Sequence, residues 1–432
     1  MDDSSPFRVA VVGGGIGGLF CALSLNYHVK QPIHIDVYEQ ASQYREIGAG
    51  VGIGPNAAKL FGEIGLGDRL GSIAGERNGV WISFRRHDDG GEVITIPLVE
   101  TSTARNMSMA RSEFLDTLIE AIRERNAATL HTSKRCVSLS KDDPNSVTLH
   151  FADSTTANAN LVIAADGIHS AIRAQFATDK PVYGGMIAYR GVIPISSLPT
   201  WNFPTYSVLW MARGRHFLVF PISKNESLNI VAFVTKSEAE VQDTEESWTQ
   251  ECDRAEVERD FAGFENTVQH LIRQMPQPAS KWRLNYREPL DQWVHMGGRV
   301  VLVGDASHSM MPHQGAGAGQ AAEDDYILAH CLNGYLSQGR WDGKSLEDWM
   351  HLYQQVRLPR AQKVAKTSKE AGETYEMVTE DLKDVPLDDA LSIVRERIEQ
   401  RMKWIWTEDL SEVFARAKRE NGFEAPQSNG NL

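Results

Sequence analysis

The chain is poor in the residues that make disulfide scaffolds and membrane spans. Only 4 cysteines occur in 432 residues (Cys21, Cys136, Cys252 and Cys331), and none forms a C-x-x-C pair. That scatter excludes a disulfide framework or a cysteine zinc site and predicts reduced thiols used for packing. Basic residues are outnumbered, 44 against 57 acidic ones, and the formal net charge of -13 excludes the clustered positive surface a nucleic-acid binder needs. No uncharged apolar run reaches the roughly 20 residues of a membrane helix. The opening Met1-Asp-Asp-Ser-Ser-Pro6 lacks the basic start and apolar centre of a secretory signal, and Ser428–Leu432 matches no lipidation or peroxisomal signal. These absences predict a cytoplasmic protein without membrane or nucleic-acid partners. The length, by contrast, supports two closely connected regions, because single cores stop growing near about 250–300 residues.

What is present is concentrated in three strand-like segments, each ending in glycine or an acid. Arg8-Val-Ala-Val-Val runs into Gly13-x-Gly15-x-x-Gly18, a helical stretch follows to about Tyr27, and Ile33-His-Ile-Asp-Val-Tyr-Glu39 alternates as a second strand. A helix that begins in the glycines brings backbone N–H groups and its positive dipole end to one point, where a pyrophosphate is favoured. Glu39 falls about 20 residues further on, where an acid at a strand end accepts from a ribose diol. Leu161-Val-Ile-Ala-Ala runs into Asp166-Gly167, and Arg299-Val-Val-Leu-Val into Gly304-Asp305. The first and last of these segments predict FAD held along its length. Only one complete dinucleotide fingerprint is present, so NAD(P)H is expected as a transient electron donor without a domain of its own.

Between about Gly184 and Trp293 the pattern changes to short β-rich runs divided by Pro, Gly and Asn, which predicts a mainly antiparallel sheet. From about Gln320 the pattern is mainly helical, with a break near Pro386. The fold class expected is therefore α/β: a discontinuous Rossmann-like FAD-binding domain, an inserted antiparallel β-sheet substrate domain and a helical C-terminal region. The corresponding boundaries are 1–183, 184–293, 294–335 and 336–432.

Taken in order, Gly13, Gly15, Gly18, Glu39, Asp166-Gly167 with Ser170 and Arg173, and Gly304-Asp305 resemble the class A flavoprotein aromatic monooxygenases. The strings Glu46–Asn56 and Pro312-His-Gln-Gly-Ala-Gly-Ala-Gly-Gln320 are most similar to the salicylate hydroxylase subgroup. The resemblance implies that Asp305 holds the ribityl chain, that Asp166 and Gly167 position FAD and meet the nicotinamide cofactor, and that Arg45, Gly50 and Arg111 contact FAD. It also implies that Pro312, Gly315, Ala316, Gly317 and Ala318 form the loop beside the flavin ring. There, backbone amides and a helix start favour negative charge on the reduced ring.

The same resemblance implies a reaction in which O2, activated as a hydroperoxide on flavin C4a, hydroxylates a phenolic acid. A salicylate-like ring would lose CO2 to give a catechol. His313 is the candidate for orienting the substrate or handling the phenol proton, and Arg190 for holding a carboxylate or phenolate. Trp210, Met211, Phe220 and Phe233 are candidate pocket walls. His308 and His313 lack a third ligand at suitable spacing, so the loop is not read as a metal site. Two rivals remain open: hydroxylation or dearomatisation of a polyketide phenol, and a non-catalytic prenyl-protein carrier that keeps only the first glycine turn. The stretch from Leu391 to Ala417, apolar among many charges, fits a packing or dimer helix, leaving monomer and homodimer both open.

Overall fold

The computed structural model describes residues 6–44, 50–100, 104–198, 201–203, 205–242, 244, 250–338 and 343–423. Strands Phe7–Val12, Ile33–Tyr38, Thr129–His131, Leu161–Ala164 and Val300–Leu302 form the parallel part of a six-stranded sheet. The short strand Val294–His295 closes one edge in antiparallel sense. These strands read as continuous apolar runs because the sheet is covered by helices such as Ile16–His28 and by the three-stranded sheet Cys136–Asp143, Ser146–Phe151 and Thr156–Ala159, whose Leu149 and Phe151 join the same core. Val9, Val11, Val37, Leu161, Val162, Ile163, Val300 and Val301 are wholly buried.

Register decides where the motifs meet. Val12 pairs with Tyr38 on one side and Ala164 on the other, and Ala164 pairs with Leu302. The strands therefore end level, and Gly13, Glu39, Asp166 and Asp305 all leave from one carboxyl edge, where open α/β sheets bind ligands. Chain segments almost three hundred residues apart become neighbours through this alignment.

A second sheet has eight strands, in the order Glu251–Cys252, Ala279–Tyr286, Val182–Pro194, Ser227–Thr235, Arg215–Ile222, Ser207–Ala212, Val80–Arg86 and Glu92–Pro97. All its neighbours are antiparallel except Ser207–Ala212 with Val80–Arg86. The expected substrate region thus needs correcting at its boundary: the hairpin of residues 80–97, assigned by sequence to the first part of the chain, belongs to this sheet. The reason is that its partner strand Ser207–Ala212 would otherwise be an uncovered edge.

The 30-residue helix Leu346–Tyr375 joins the two sheets. At about 45 Å long, it starts against the first sheet, where Tyr353 donates to the Leu302 carbonyl at 3.0 Å. It ends with Tyr375 packed beside Phe84 of the second sheet. Helix Leu387–Arg401 begins directly after Pro386, as the break in pattern predicts, and buries Leu391, Val394 and Ile398 in the cluster that holds Ile82, Phe84, Leu209 and Met211. The apolar residues at the start of the Leu391–Ala417 stretch are therefore packing residues against the sheet.

One buried acid is a cost of this core. Asp325, on helix Gly317–Gln338, is wholly buried, and its carboxyl faces only the weak Cys21 thiol donor. Burial first, and then the neighbouring Asp324, push its pKa well above the usual carboxylate range. An acid whose folded pKa is raised stabilises the fold only below its unfolded pKa of about 4, and that contribution is lost as pH rises. Asp325→Asn is therefore expected to stabilise the protein at neutral pH by roughly 1–3 kcal/mol, with an advantage that shrinks towards pH 4. Urea unfolding of both proteins across that range checks it; a constant difference would contradict the assignment.

Candidate functional site

The glycine turn is built by close backbone crossing. Gly13 has φ +111°, and a Cβ there would lie 2.2 Å from the Ala165 carbonyl oxygen; a Cβ on Gly18 would lie 2.0 Å from the Gly13 oxygen. Beside Gly15, by contrast, nothing lies within 4 Å of a built Cβ. Helix Ile16–His28 starts there with its first N–H groups directed at that opening. Glu39 follows its strand directly, and its carboxylate accepts the N–H groups of Gly14 and Ala41, each at 2.7 Å. It is thus fixed at the rim of the same opening with lone pairs to spare.

Asp166 is turned into its own loop. Its carboxylate accepts Ser170 Oγ at 2.6 Å and the Ile172 N–H at 3.2 Å, and burial raises its pKa. The side chain thus braces the turn that Gly167, at φ +78°, completes. Arg173, only 1% exposed, extends the brace: it donates to the carbonyls of Ala306 and Ser307, both at 3.1 Å, and pairs with Asp179 at 2.7 Å. It locks the Asp166 loop to the Asp305 turn. Asp305 itself opens a short helix and keeps its side chain exposed. Its charge acts on Arg111, whose pKa burial lowers and Asp305 opposes. Arg190 is lowered by burial and by Arg111, so Arg111 lies within electrostatic reach of both Asp305 and Arg190.

The loop after Asp305 is held from beneath. Asp324 accepts the Gly304 N–H at 2.9 Å and His308 Nε2 at 2.6 Å; Arg357 binds Asp324 at 2.8 Å and Glu323 at 2.6 Å. Arg360 adds a 2.7 Å contact to Glu323, which also accepts Asn56 Nδ2 at 2.6 Å. Gly315, Ala316, Gly317 and Ala318 then turn into helix Gly317–Gln338, and no atom lies within 4 Å of a built Cβ at Gly315 or Gly317. Gly52–Asn56 and Gln314–Gly319 face each other across a narrow cleft. Its outer wall is Trp81, Met402, Ile405 and Trp406, with Trp81 and Trp406 edge to face at 4.7 Å.

Strand parity sorts the proposed pocket residues. Arg190, Val231, Leu218, Leu209 and Phe84 pair across the second sheet in one row, and Trp282, Ala188, Phe233, His216 and Met211 in the next. Residues of both rows lie on the face towards the loop: Phe233 and Ala188 share a buried cluster with Met311, and Phe233 lies 5.0 Å from the His313 ring. Phe220 lies against Gly50, where a Cβ would come within 2.2 Å of its ring; Asn229 accepts the Gly50 N–H at 3.1 Å. Trp210 is a correction. It packs on the opposite face with Phe217 and Phe261 and donates Nε1 to Glu265 at 2.7 Å. Alternation forces this, since Leu209 and Met211 occupy the other face. Trp210→Phe is expected to change the KM for an aromatic substrate by less than about twofold while costing about 1 kcal/mol through the lost hydrogen bond; steady-state kinetics and urea unfolding separate the two.

His313 sits in a notch opposite Gly372, where a Cβ would come within 2.4 Å of the ring. Its ring nitrogens are buried, the ring lies 5.2 Å from that of His216, and neither nitrogen has a hydrogen-bond partner. Burial, then His216, hold its pKa well below the usual imidazole value, so the ring is neutral. The sequence reading missed His216 and Glu376. His216 Nδ1 lies 2.8 Å from Glu376, whose other oxygen accepts Thr235 Oγ1. Burial lowers His216 to about 3 and raises Glu376 to about 8, leaving a carboxyl–imidazole hydrogen bond rather than a separated ion pair. Period-2 alternation through His216-Phe-Leu-Val-Phe220 marked His216 as sharing the face of Phe220; nothing local marked Glu376. Arg45 lies outside the described residues.

A parallel sheet with this glycine turn, acids at the same carboxyl edge and a roofing antiparallel sheet define a flavoprotein hydroxylase. Residues 7–368 match the family model described as an FAD binding domain, and the chain belongs to the FAD-binding monooxygenase family. It is 31% identical over 438 residues to a salicylate hydroxylase of Pseudomonas putida, with 96% of each chain covered. A 6-hydroxynicotinate 3-monooxygenase of Pseudomonas fluorescens is 34% identical over 369 residues, which cover 84% of this chain and 90% of the relative. A solved salicylate hydroxylase substrate complex superposes with a TM-score of 0.77 at 31% identity, covering 96% of this chain and 98% of the other. The protein is an FAD-dependent aromatic monooxygenase. The open space at Gly15, Gly315 and Gly317, the Glu39 rim and the outward Asp305 fit that cofactor. Among the described residues no helix is long and apolar enough to cross a membrane.

Proposed function

We propose that the chain hydroxylates a phenolic aromatic acid of the salicylate type, placing oxygen on the carboxyl-bearing carbon with release of CO2 and formation of a catechol. The observation that carries this reading is the pairing of unlike groups on one face: a half-buried guanidinium, Arg190, and the buried neutral imidazole of His313 with both nitrogens unpartnered. One suits a carboxylate and the other a phenol. The identity to salicylate hydroxylase and the 32% identity to a 6-methylsalicylate 1-monooxygenase of Aspergillus terreus support it further.

FAD supplies the electron transfer from NAD(P)H to O2 and the delivery of one oxygen atom; the other leaves as water. Glu39 and the Gly13–Gly18 turn would hold the adenosine ribose and pyrophosphate, Asp305 and Arg111 the ribityl region, and Gly315–Ala318 the ring edge. Arg190 orients the substrate through its carboxylate. In this reading His313 accepts the phenol proton at a ring nitrogen, and its neutral state keeps that lone pair available. Met311, Phe233, Trp282, Trp81 and Trp406 exclude water.

A panel of phenolic acids and acylphenols, scored by stimulated NAD(P)H oxidation and product mass, tests the proposal. Salicylate is expected to stimulate turnover with loss of CO2, and Arg190→Met to raise its KM by about 10–100-fold, the equivalent of one charge-assisted hydrogen bond. Turnover with acylphenols and silence with salicylate would transfer the assignment to a polyketide phenol.

A further inference from the structure

A second cluster lies away from the cofactor site, where the far ends of two of its helices meet the middle of a third. His28 is the last residue of helix Ile16–His28, Glu63 the last of helix Pro55–Glu63, and His330 lies midway along helix Gly317–Gln338. One ligand atom from each lies within 4.8 Å of the other two. The His28 and His330 rings are 4.5 Å apart, both edge to face with Tyr326. His330 Nε2 is buried without a hydrogen-bond partner, although a neutral imidazole nitrogen in such a place normally has one.

We propose that His28, Glu63 and His330 bind one divalent transition metal of the zinc class. Two imidazoles and a carboxylate are the donor set of open zinc sites, which leave a fourth position to water. Tetrahedral bonds of about 2.0–2.2 Å require donors about 3.4 Å apart, so the site closes by a movement of about 1 Å. The exposed Glu63 side chain can make it, while His28 is fixed. A surface depression bounded by Tyr27, Lys30, Glu63 and Arg125 provides the entry. Lys30 and Lys418 act on the cluster as like charges to a cation, but the Lys30 ammonium is engaged on the Tyr27 carbonyl at 2.8 Å. A metal there would fasten the far ends of two helices to the middle of a third, helices whose near ends carry Gly15, Asn56 and Gly317, a role independent of which ring is hydroxylated.

The test uses the full-length flavin-loaded protein, stripped of metal with chelator and titrated with Co2+ by calorimetry and by absorbance beyond the flavin band. One Co2+ per chain is expected, with the spectrum of a four- or five-coordinate site, displaced by Zn2+. Glu63→Gln and His330→Asn are each expected to weaken binding by at least about tenfold, while replacing the partly exposed His34 or the exposed His351 leaves it unchanged. Glu63 is exposed, so its variant is expected to fold. Absence of binding in the unaltered protein, equal binding in both ligand variants, or loss on replacing His34 or His351 would overturn the proposal.

Discussion

Arg357→Met is expected to cost about 3–5 kcal/mol in equilibrium unfolding, because it leaves buried carboxylates uncompensated. Arg357 is wholly buried and reaches three partners on the facing helix: Asp324, Glu323 and Gln320. Arg360 still pairs with Glu323 in the variant, so the deficit falls mainly on Asp324, left with His308 and the Gly304 N–H. Burial alone would raise the pKa of both acids, but the arginines and His308 outweigh it and hold them below the usual carboxylate values. Carboxylates depressed in this way contribute stability above their unfolded pKa and lose it as pH falls through the folded pKa. Arg357→Met should therefore move the acid limb of the stability profile to higher pH. It should also weaken flavin retention, because Asp324 fixes the turn that presents Asp305. A variant within about 1 kcal/mol of the parent would show that the clasp contributes specificity rather than stability.

Changes at the glycine turn are expected to have the largest effect on cofactor binding. Gly13→Ala meets a positive φ and a carbonyl oxygen 2.2 Å away, and Gly18→Ala an oxygen at 2.0 Å, both backbone atoms that cannot rotate aside. Each variant should retain less than about a tenth of the flavin per chain, with a lowered thermal midpoint. Gly15→Ala provides the contrast. Its φ of -74° suits any residue and its Cβ would meet nothing, so the flavin-free fold should keep its midpoint while FAD affinity falls roughly tenfold or more through crowding at the pyrophosphate. Flavin absorbance per chain and thermal unfolding of the flavin-free proteins separate the two cases. Full flavin content in Gly18→Ala would contradict the crossing that the backbone shows.

The elements nearest the cofactor were legible because their signals are local. A strand ending in Gly13-x-Gly15-x-x-Gly18, an acid closing the next strand and acids ending two later strands require only periodicity and turn chemistry to recognise, and each stands at the carboxyl edge where the sequence places it. The roof was legible in kind but less so in membership. Trp210 and Phe220 look alike in their short apolar runs, yet one faces the helices Arg254–Asp260 and Asn266–Gln274 and the other faces Gly50. Only the sheet register fixes which parity points at the site. The hairpin of residues 80–97 was missed for the same reason, since its parallel partner lies more than a hundred residues away.

The sequence by itself determined the class of cofactor, the ends of the strands that hold it and the α/β class, because these depend on backbone geometry that glycine and strand-end acids impose within a few residues. Only the tertiary structure decided that Arg190 and Arg111 share one field, that His313 is held neutral beside His216 and Glu376, and that two helix ends and the middle of a third helix gather His28, Glu63 and His330. Those facts depend on burial and on distances between remote segments, and desolvation has no signature in the order of residues along a chain.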